Sequence, residues 1–396
     1  MSSPLRIGLL SIARKDSSPM RSSMLLHYLD RHPWAALVWQ FLETIRHTRL
    51  GRTLIIAKSL FDTFRYRWQV SGSATVLVSH YTNERRALAR QFPHSPNFIQ
   101  FGPGLVWTET HTRWLLAVLR LRHLAPVFRC VRLLAQRYPL LVVVRQTQFL
   151  LSYSFFTHAR LSTAGHSAST ESNPEVLGPL LAAQRQGVST TFVNHGLLDS
   201  ELGIFAFNHY CLSGEAIWER IQPLQRTLGA TVKYFAVTPR QALRLPRAEE
   251  LQRVLIFAPI VLKLDLLHQL LSDLRQHWPR VQIFLRQHPN QEMSHRDLQR
   301  CLPRDVLLTN EKNPFITDLV EIDCCIGGGS SAHLEALSAG VPTAYYRLDD
   351  LPADHYGFLA RRLIPSIQTT ATIVDELRRT YMADGWAKVF RHYQHD

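Results

Sequence analysis

The sequence has no CxxC pair and no zinc signature, and only five cysteines in 396 residues: Cys130, Cys211, Cys301, Cys324 and Cys325. An odd count with one adjacent pair argues against a disulfide framework and fits a reducing compartment. No apolar run reaches the roughly 18 residues that span a bilayer. The first sixteen residues are interrupted by Arg6, Arg14 and Lys15 and so lack the apolar core of a signal peptide. The expectation is a cytoplasmic protein, at most peripheral on the inner face of the membrane. There is no internal repeat. The net charge is +14, yet the cations are not gathered into Lys/Arg runs and no DNA- or RNA-binding motif is present, so nucleic acid is not an expected partner. Acid is missing from one long stretch: the 61 residues from Thr110 to Thr170 contain no Asp or Glu but eight arginines. That stretch reads either as a core helix pair with a solvated basic face or as a surface for an anionic lipid or polymer.

With 46% hydrophobic residues the chain can bury sizeable cores, and its length suggests two domains. Leu5–Ile12 reads as a first strand, Thr75–Ser79 and Asn97–Phe101 as further strands, and Phe41–Tyr66 as mostly helical. Ser162–Pro174, rich in Ser and Thr, reads as a surface connection. Glu175–Gln186 forms a helix, and the Ser189–Asn194 strand delivers His195-Gly196. Tyr210–Ser213 and Tyr234–Val237 are short strands. A polar, Pro-containing segment from Thr238 to Glu249 places a domain boundary near 245/246. Beyond it, strands at Val254–Val261, Val281–Leu285, Val306–Thr309, Cys324–Ile326 and Thr343–Tyr346 alternate with helices such as Leu264–Trp278, which implies a parallel sheet. Val374–Tyr393 reads as one terminal helix. The expected division is 1–245, 246–370 and a C-terminal helix in 371–396 that crosses back to the first domain.

Two signatures stand out in the second half. Arg286-Gln287-His288-Pro289 ends a strand. Gly327-Gly328-Gly329-Ser330-Ser331 breaks the next but one and leads into an Ala332–Ala339 helix closed by Gly340 and Pro342. Ser330 is expected near the N-cap, where free N–H groups favour an anion. In open α/β sheets ligands bind beyond the carboxyl ends of strands. A phosphate there would meet an imidazole, two hydroxyls and backbone N–H groups. Either signature alone is most often a structural turn. The two lie about 40 residues apart, one βαβα step, which would make their strands near neighbours.

The Arg286–Pro289 run resembles the HP motif, and Ser330-Ser331 with Glu335 resembles the SS motif, of bacterial sialyltransferases, polysialyltransferases and CDP-glycerol glycerophosphotransferases. Those are transferases of GT-B type using CMP- or CDP-activated donors. The resemblance spans roughly Thr191–Leu348. It implies an α/β fold of two Rossmann-like domains facing a cleft, the donor on the second and the acceptor on the first. It implies that His288, Ser330 and Ser331 hold the donor phosphate, with Glu335 near the ribose or base; Arg286, Pro289, Gly328 and Gly329 complete the expected nucleotide-binding set. The three glycines depart from that pattern and are similar to UDP-sugar transferases and UDP-sugar 2-epimerases, so an epimerase remains an alternative, as does a non-catalytic glycan- or lipid-binding module.

The expected reaction moves a sugar or polyol phosphate from the nucleotide donor to a surface polysaccharide or glycolipid, an anionic acceptor. The nucleotide-sugar is substrate; no cofactor and no metal are expected, since Asp349-Asp350 reads as a helix cap. His195 is the favoured proton acceptor because a histidine titrates near neutral pH unaided. Glu171, in the Ser162–Pro174 loop, is the rival, since the resemblance implies a carboxylate in sialyltransferases and the His-Gly histidine in CDP-glycerol-type enzymes.

Overall fold

In the computed structural model the described residues are 4–17, 25, 29, 33–63, 65–69, 75–79, 82–95, 97–101, 124–159, 165–168, 173–194, 206–227, 229–235, 241–247, 251–288, 293–309, 313, 315–349, 354 and 356–394. The chain divides into two compact units. The first comprises Met1–Leu212 with Trp218–Lys233, the second Ser213–Ile217 with Tyr234–Asp396. Each is an α/β unit built on one sheet. No helix among the described residues is long and apolar enough to cross a membrane.

The first unit begins with α1 (Pro4–Asp16), α2 (Pro33–Ile45) and α3 (Arg49–Thr63). Leu5–Ile12, read from sequence as a strand, is therefore the body of a helix. Ile7, Gly8, Ser11, Ile12 and Asp16 are buried while Leu10 is exposed, a spacing of 3.6 rather than 2. A short apolar run does not itself separate a strand from a buried helix. Gly8 matters here: a Cβ on it would lie 2.1 Å from the Phe149 ring.

The strands β1 (Tyr66–Gln69), β2 (Val76–Ser79), β3 (Phe98–Phe101), β4 (Gly165–Ala168), β5 (Ser189–Val193), β6 (His209–Leu212) and β7 (Thr231–Tyr234) form a sheet of order β1-β3-β2-β4-β5-β6-β7. β1 runs antiparallel to β3, and β3, β2, β4, β5 and β6 are mutually parallel. Two of these strands escape a sequence reading. Tyr66 opens β1 where only helix is expected. β4 lies inside the segment read as a surface loop, yet it is the middle strand of seven. Its Gly-His-Ser-Ala sequence carries no apolar signal, because it is covered by others' side chains rather than its own. His166 is buried there, and desolvation pulls its pKa down to about 4.

Between strands stand α4 (Thr82–Gln91), α5 (Leu124–Arg137), α6 (Leu140–Ala159), α7 (Pro174–Arg185) and α8 (Glu215–Ile221). The helical part of the acid-free stretch thus splits in two among the described residues. α6 is a core helix, with Val142, Val143, Phe149, Leu150, Leu151 and Phe156 buried. Its Arg145 turns inward, its Nε donating to the buried Asp16 at 2.6 Å and its Nη2 to Asn173 Oδ1 at 3.2 Å. α5 is the half with a basic face, exposing Arg129, Arg132 and Arg137. Residues 110–123 lie outside the described set.

The second unit carries β8 (Arg253–Phe257), β9 (Gln282–Arg286), β10 (Val306–Leu308), β11 (Cys324–Gly327) and β12 (Thr343–Tyr345), every pairing parallel, in the order β10-β9-β8-β11-β12. The Val254–Val261 run stops as a strand at Phe257, before Pro259, which has no N–H for a ladder. α9 (Leu264–His277) buries Leu267, Leu270, Leu271 and Leu274 against the sheet. α10 (His295–Cys301), α11 (Phe315–Asp318) and α12 (Ala332–Ser338) complete the crossovers. The terminal helix is two helices, α13 (Ile373–Tyr381) and α14 (Trp386–Tyr393). They are broken at Gly385, whose φ of +86° suits glycine. Residues 241–247 pack against this unit: Gln241 and Arg244 donate their amides to the carbonyls of Ser338 and Gly340, each at 2.9 Å. Gly340, at φ +77°, would bring a Cβ within 2.4 Å of the Ala242 carbonyl oxygen.

Candidate functional site

Chain order and sheet order fix where a ligand can enter the second unit. The first three strands build outward in one direction, β8 to β9 to β10. The chain then returns to pair β11 on the other side of β8 and continues to β12. The reversal between β8 and β11 is a topological switch point, and a crevice opens there at the carboxyl ends. The glycine-serine turn leaves β11 at that point. His288 follows β9, which is separated from β11 by β8 rather than adjacent to it. The two signatures therefore flank the switch strand, about 10 Å apart at two strand spacings.

The glycine turn is shaped from below. Gly327 is the last residue of β11, and a Cβ on it would fall 1.9 Å from the Phe257 ring. A Cβ on Gly328 would lie 3.2 Å from Asp349 Oδ2 and 3.6 Å from Pro259. The orienting residue is His333 on α12, fully buried, which a reading of the motif alone does not single out. Its Nε2 lies 2.9 Å from the Gly328 carbonyl and its Nδ1 lies 2.7 Å from Thr343 Oγ1. A carbonyl only accepts, so Nε2 carries the hydrogen, and Nδ1 of the neutral ring accepts from the threonine hydroxyl. Desolvation holds this imidazole neutral, with a pKa of about 4. Phe257 and Phe358 meet its ring edge-on, at 4.7 and 6.1 Å. Because a trans peptide points its C=O and N–H in opposite directions, fixing the Gly328 carbonyl on His333 turns the Gly329 N–H away from that ring.

Ser331, not Ser330, occupies the N-cap position of α12, with no side-chain cap bond. The Ser330 hydroxyl accepts from the Ala332 amide at 3.2 Å. Gly329, Ser330 and Ser331 are half-buried, and Glu335 is exposed on the same short helix. On the other side of β8, Arg286 is engaged with protein partners. It forms a buried ion pair with Asp318, its Nη2 donates to the Asn313 carbonyl at 2.8 Å, and its Cζ sits 5.5 Å from the Phe315 ring. Thr309 Oγ1 donates to the same Asp318 carboxylate at 2.8 Å. Arg286 thus braces the carboxyl ends of β9 and β10. Gln287 donates to the Met293 carbonyl and so closes the loop that follows. His288 is half-buried and, by desolvation, has its pKa lowered to about 4, so at neutral pH it offers a neutral imidazole rather than a cation. Pro289 lies outside the described residues.

Beside the glycine turn is a small, open hollow lined in part by Gly328, Gly329, His333, Tyr345, Tyr356 and Phe358. Asp354 lies on its wall with both carboxylate oxygens occupied, by the Leu359 amide at 2.9 Å and the Ala360 amide at 2.7 Å. Asp349, read from sequence as a helix cap, is buried behind Gly328, and residues 350–353 that follow it lie outside the described set. The turn therefore presents uncharged donors, N–H and O–H, with an acid behind them. Lys263 and Arg347, which follow β8 and β12, are cations at the same edge that the motifs do not flag.

In the first unit His195 and Glu171 both fall outside the described residues. His195 comes two residues after β5, and Glu171 three after β4. Those strands are parallel neighbours, with Ala168 opposite Phe192, so both residues follow carboxyl ends of the same sheet.

No family model matches the sequence. No curated protein sequence matches it either. Among solved structures, the S. aureus MnaA–UDP co-structure aligns over 81% of this chain and 90% of its own at 10% identity, with a TM-score of 0.47. UDP-GlcNAc 2-epimerase from Neisseria meningitidis, bound to UDP-GlcNAc, aligns over 81% and 93% at 12% identity and 0.45. CalG4, the calicheamicin glycosyltransferase, aligns over 82% and 94% at 12% identity and 0.44. These likenesses are loose. The assignment to two α/β units on largely parallel sheets rests on strand order and pairing.

Proposed function

We propose that the second unit binds a nucleotide-activated sugar at the carboxyl edge of its sheet, and that the protein transfers the sugar, or a polyol phosphate, to a surface polysaccharide or glycolipid. The observation that supports this reading is the placement of His288 and of Gly327–Ser331 on either side of the switch strand β8. A diphosphate laid across that point would accept from the Gly329 N–H, the Ser331 hydroxyl and the imidazole of His288. Departure of a nucleoside phosphate builds negative charge, and a Gly329 N–H already oriented through the His333 contact to Gly328 needs no reorganisation when it develops. Neutral donors beside a buried acid favour a phosphate ester whose remaining charge is met elsewhere, and Lys263 and Arg347 are the candidates for that. Glu335, exposed on α12, remains the candidate for the ribose or base. The donor is proposed as CMP- or CDP-linked on the strength of the His-Pro and Ser-Ser motifs.

The proton of the acceptor hydroxyl goes to His195 in this reading, with Glu171 as rival. Removing the true base lowers turnover roughly 10²–10⁴-fold and leaves nucleotide affinity nearly intact. The test is the pair His195→Ala and Glu171→Gln, assayed for turnover and for nucleotide binding. Loss in the second variant alone reverses the roles, and loss in neither removes both from the chemistry.

The three glycines before the serines favour a second reading, a UDP-sugar 2-epimerase. Product analysis with a UDP-sugar alone separates the two, because an epimerase inverts the sugar without an acceptor and a transferase does not.

A further inference from the structure

We propose that α2, with the turn into α3, lies in the interface of an anionic lipid bilayer. The inference does not rest on the nucleotide reading. α2 has no buried residue at all. Trp39 and Leu42 pack against the apolar cluster that α3, α5 and α6 share, around Ile55, Val131 and Val143. That contact fixes which face turns out, and the outer face is apolar: Trp34, Leu37, Val38 and Phe41, at spacings of i, i+3, i+4 and i+7, with Trp34 82% exposed and the other three more than half exposed. Leu50 and Phe61 on α3 and Leu133 on α5 are also more than half exposed. Soluble surfaces rarely gather large apolar side chains in this way without a partner.

Charge selects the partner. Arg49 on α3 and Arg129, Arg132 and Arg137 on α5 are exposed, on helices that share the apolar cluster against which α2 packs. Its two acids are neutralised at home: Glu43 pairs with Arg46 at 2.9 Å and Asp62 with Lys58 at 2.7 Å. The surface is therefore apolar and cationic, the complement of anionic headgroups over acyl chains. A second copy would set the same cations against each other. A thirteen-residue helix is about 20 Å long, too short for the roughly 30 Å hydrocarbon core, so α2 lies in the plane of the interface, where tryptophan is favoured. The acid-free stretch contributes through α5, while the apolar part comes from a segment that composition does not mark.

The experiment is flotation of the full chain with vesicles of phosphatidylcholine alone and of phosphatidylcholine mixed with phosphatidylglycerol. It uses the wild type, Trp34→Ser/Phe41→Ser and Arg129→Glu/Arg132→Glu. All changed side chains are exposed, and thermal unfolding confirms that each variant folds. The wild type is expected to float with the anionic vesicles only and to be released by salt. The apolar double variant should partition about ten-fold less, and the charge variant should lose the preference for phosphatidylglycerol. Equal flotation of wild type and Trp34→Ser/Phe41→Ser overturns the proposal. So does equal flotation with both vesicles, or none with either. A wild-type dimer in sedimentation velocity that Trp34→Ser/Phe41→Ser disperses, without vesicle binding, would assign the face to a second copy and also overturn it.

Discussion

The imidazole Nε2 of His333 donates to the carbonyl oxygen of Gly328 at 2.9 Å, so a fully buried side chain sets the backbone of the turn that the proposed phosphate meets. Replacing His333 by alanine removes this bond and the bond from Thr343, and opens a cavity between Phe257 and Phe358. The expected cost is about 2–4 kcal/mol, from unsatisfied partners and lost packing together. The check is a urea-unfolding midpoint. His333→Gln, which keeps a donor, should recover part of the loss and more of the nucleotide affinity than His333→Ala.

Three histidines, His166, His288 and His333, have folded pKa values of about 4, against an unfolded value near 6.5. The unfolded chain then binds more protons between those limits. Stability from these groups is complete above about pH 6.5 and is lost as pH falls toward 4. For the fully buried His333 the effect is on the order of 3 kcal/mol at 1.36 kcal/mol per pKa unit. Denaturation midpoints at pH 7 and pH 5 should differ clearly in the wild type and by less in His333→Gln. Equal slopes in the two proteins would contradict the buried, neutral state of this ring.

Gly327→Ala drives a methyl into the Phe257 ring and should destabilise by roughly 1–3 kcal/mol, the usual cost of overpacking. Phe257→Leu in the same chain should relieve much of it. A double-mutant cycle measures the coupling, and simple additivity would show that the strand end yields in another way.

His288 is neutral at pH 7.5, so its contact with a phosphate has the strength of an uncharged hydrogen bond. His288→Ala should weaken nucleotide binding about two- to ten-fold there, corresponding to roughly 0.5–1.5 kcal/mol. A bound anion favours the imidazolium and raises its pKa above about 4. Wild-type affinity should therefore rise as pH falls from 7.5 toward 5, and His288→Ala should lose that increment. Calorimetry in two buffers of different ionisation enthalpy detects the proton taken up.

Much of the second unit is legible in the sequence because its signals are local and agree. Leu267, Leu270, Leu271 and Leu274 recur at helical spacing, β9 and β11 are short apolar runs, and glycine ends the latter. The misread elements are those whose burial comes from elsewhere. β4 is Gly-His-Ser-Ala, polar by composition, yet is covered on both faces by its neighbours. α1 carries an apolar run that fits either period until Phe149 fills the space above Gly8. The Gly-Gly-Gly-Ser-Ser turn announces itself, but its support by His333, Phe257 and Thr343 does not. Those residues come from three elements, and only the fold brings them together. Arg286 shows the reverse: a motif residue that looks like a ligand is held by Asp318, which no short-range pattern connects to it.

The central claim, nucleotide binding at the switch point of the second unit, is tested most directly by thermal-shift titration with CMP, CDP, UDP and GDP, run on the wild type and on Ser330→Ala/Ser331→Ala. A ligand that binds only the folded chain stabilises it by about 2.7 kcal/mol at a hundred times its Kd. The expected result is a concentration-dependent rise in Tm with at least one pyrimidine nucleotide, CMP or CDP foremost, that is reduced in the serine variant. No shift with any of the four, or an equal shift in the wild type and the serine variant, contradicts it.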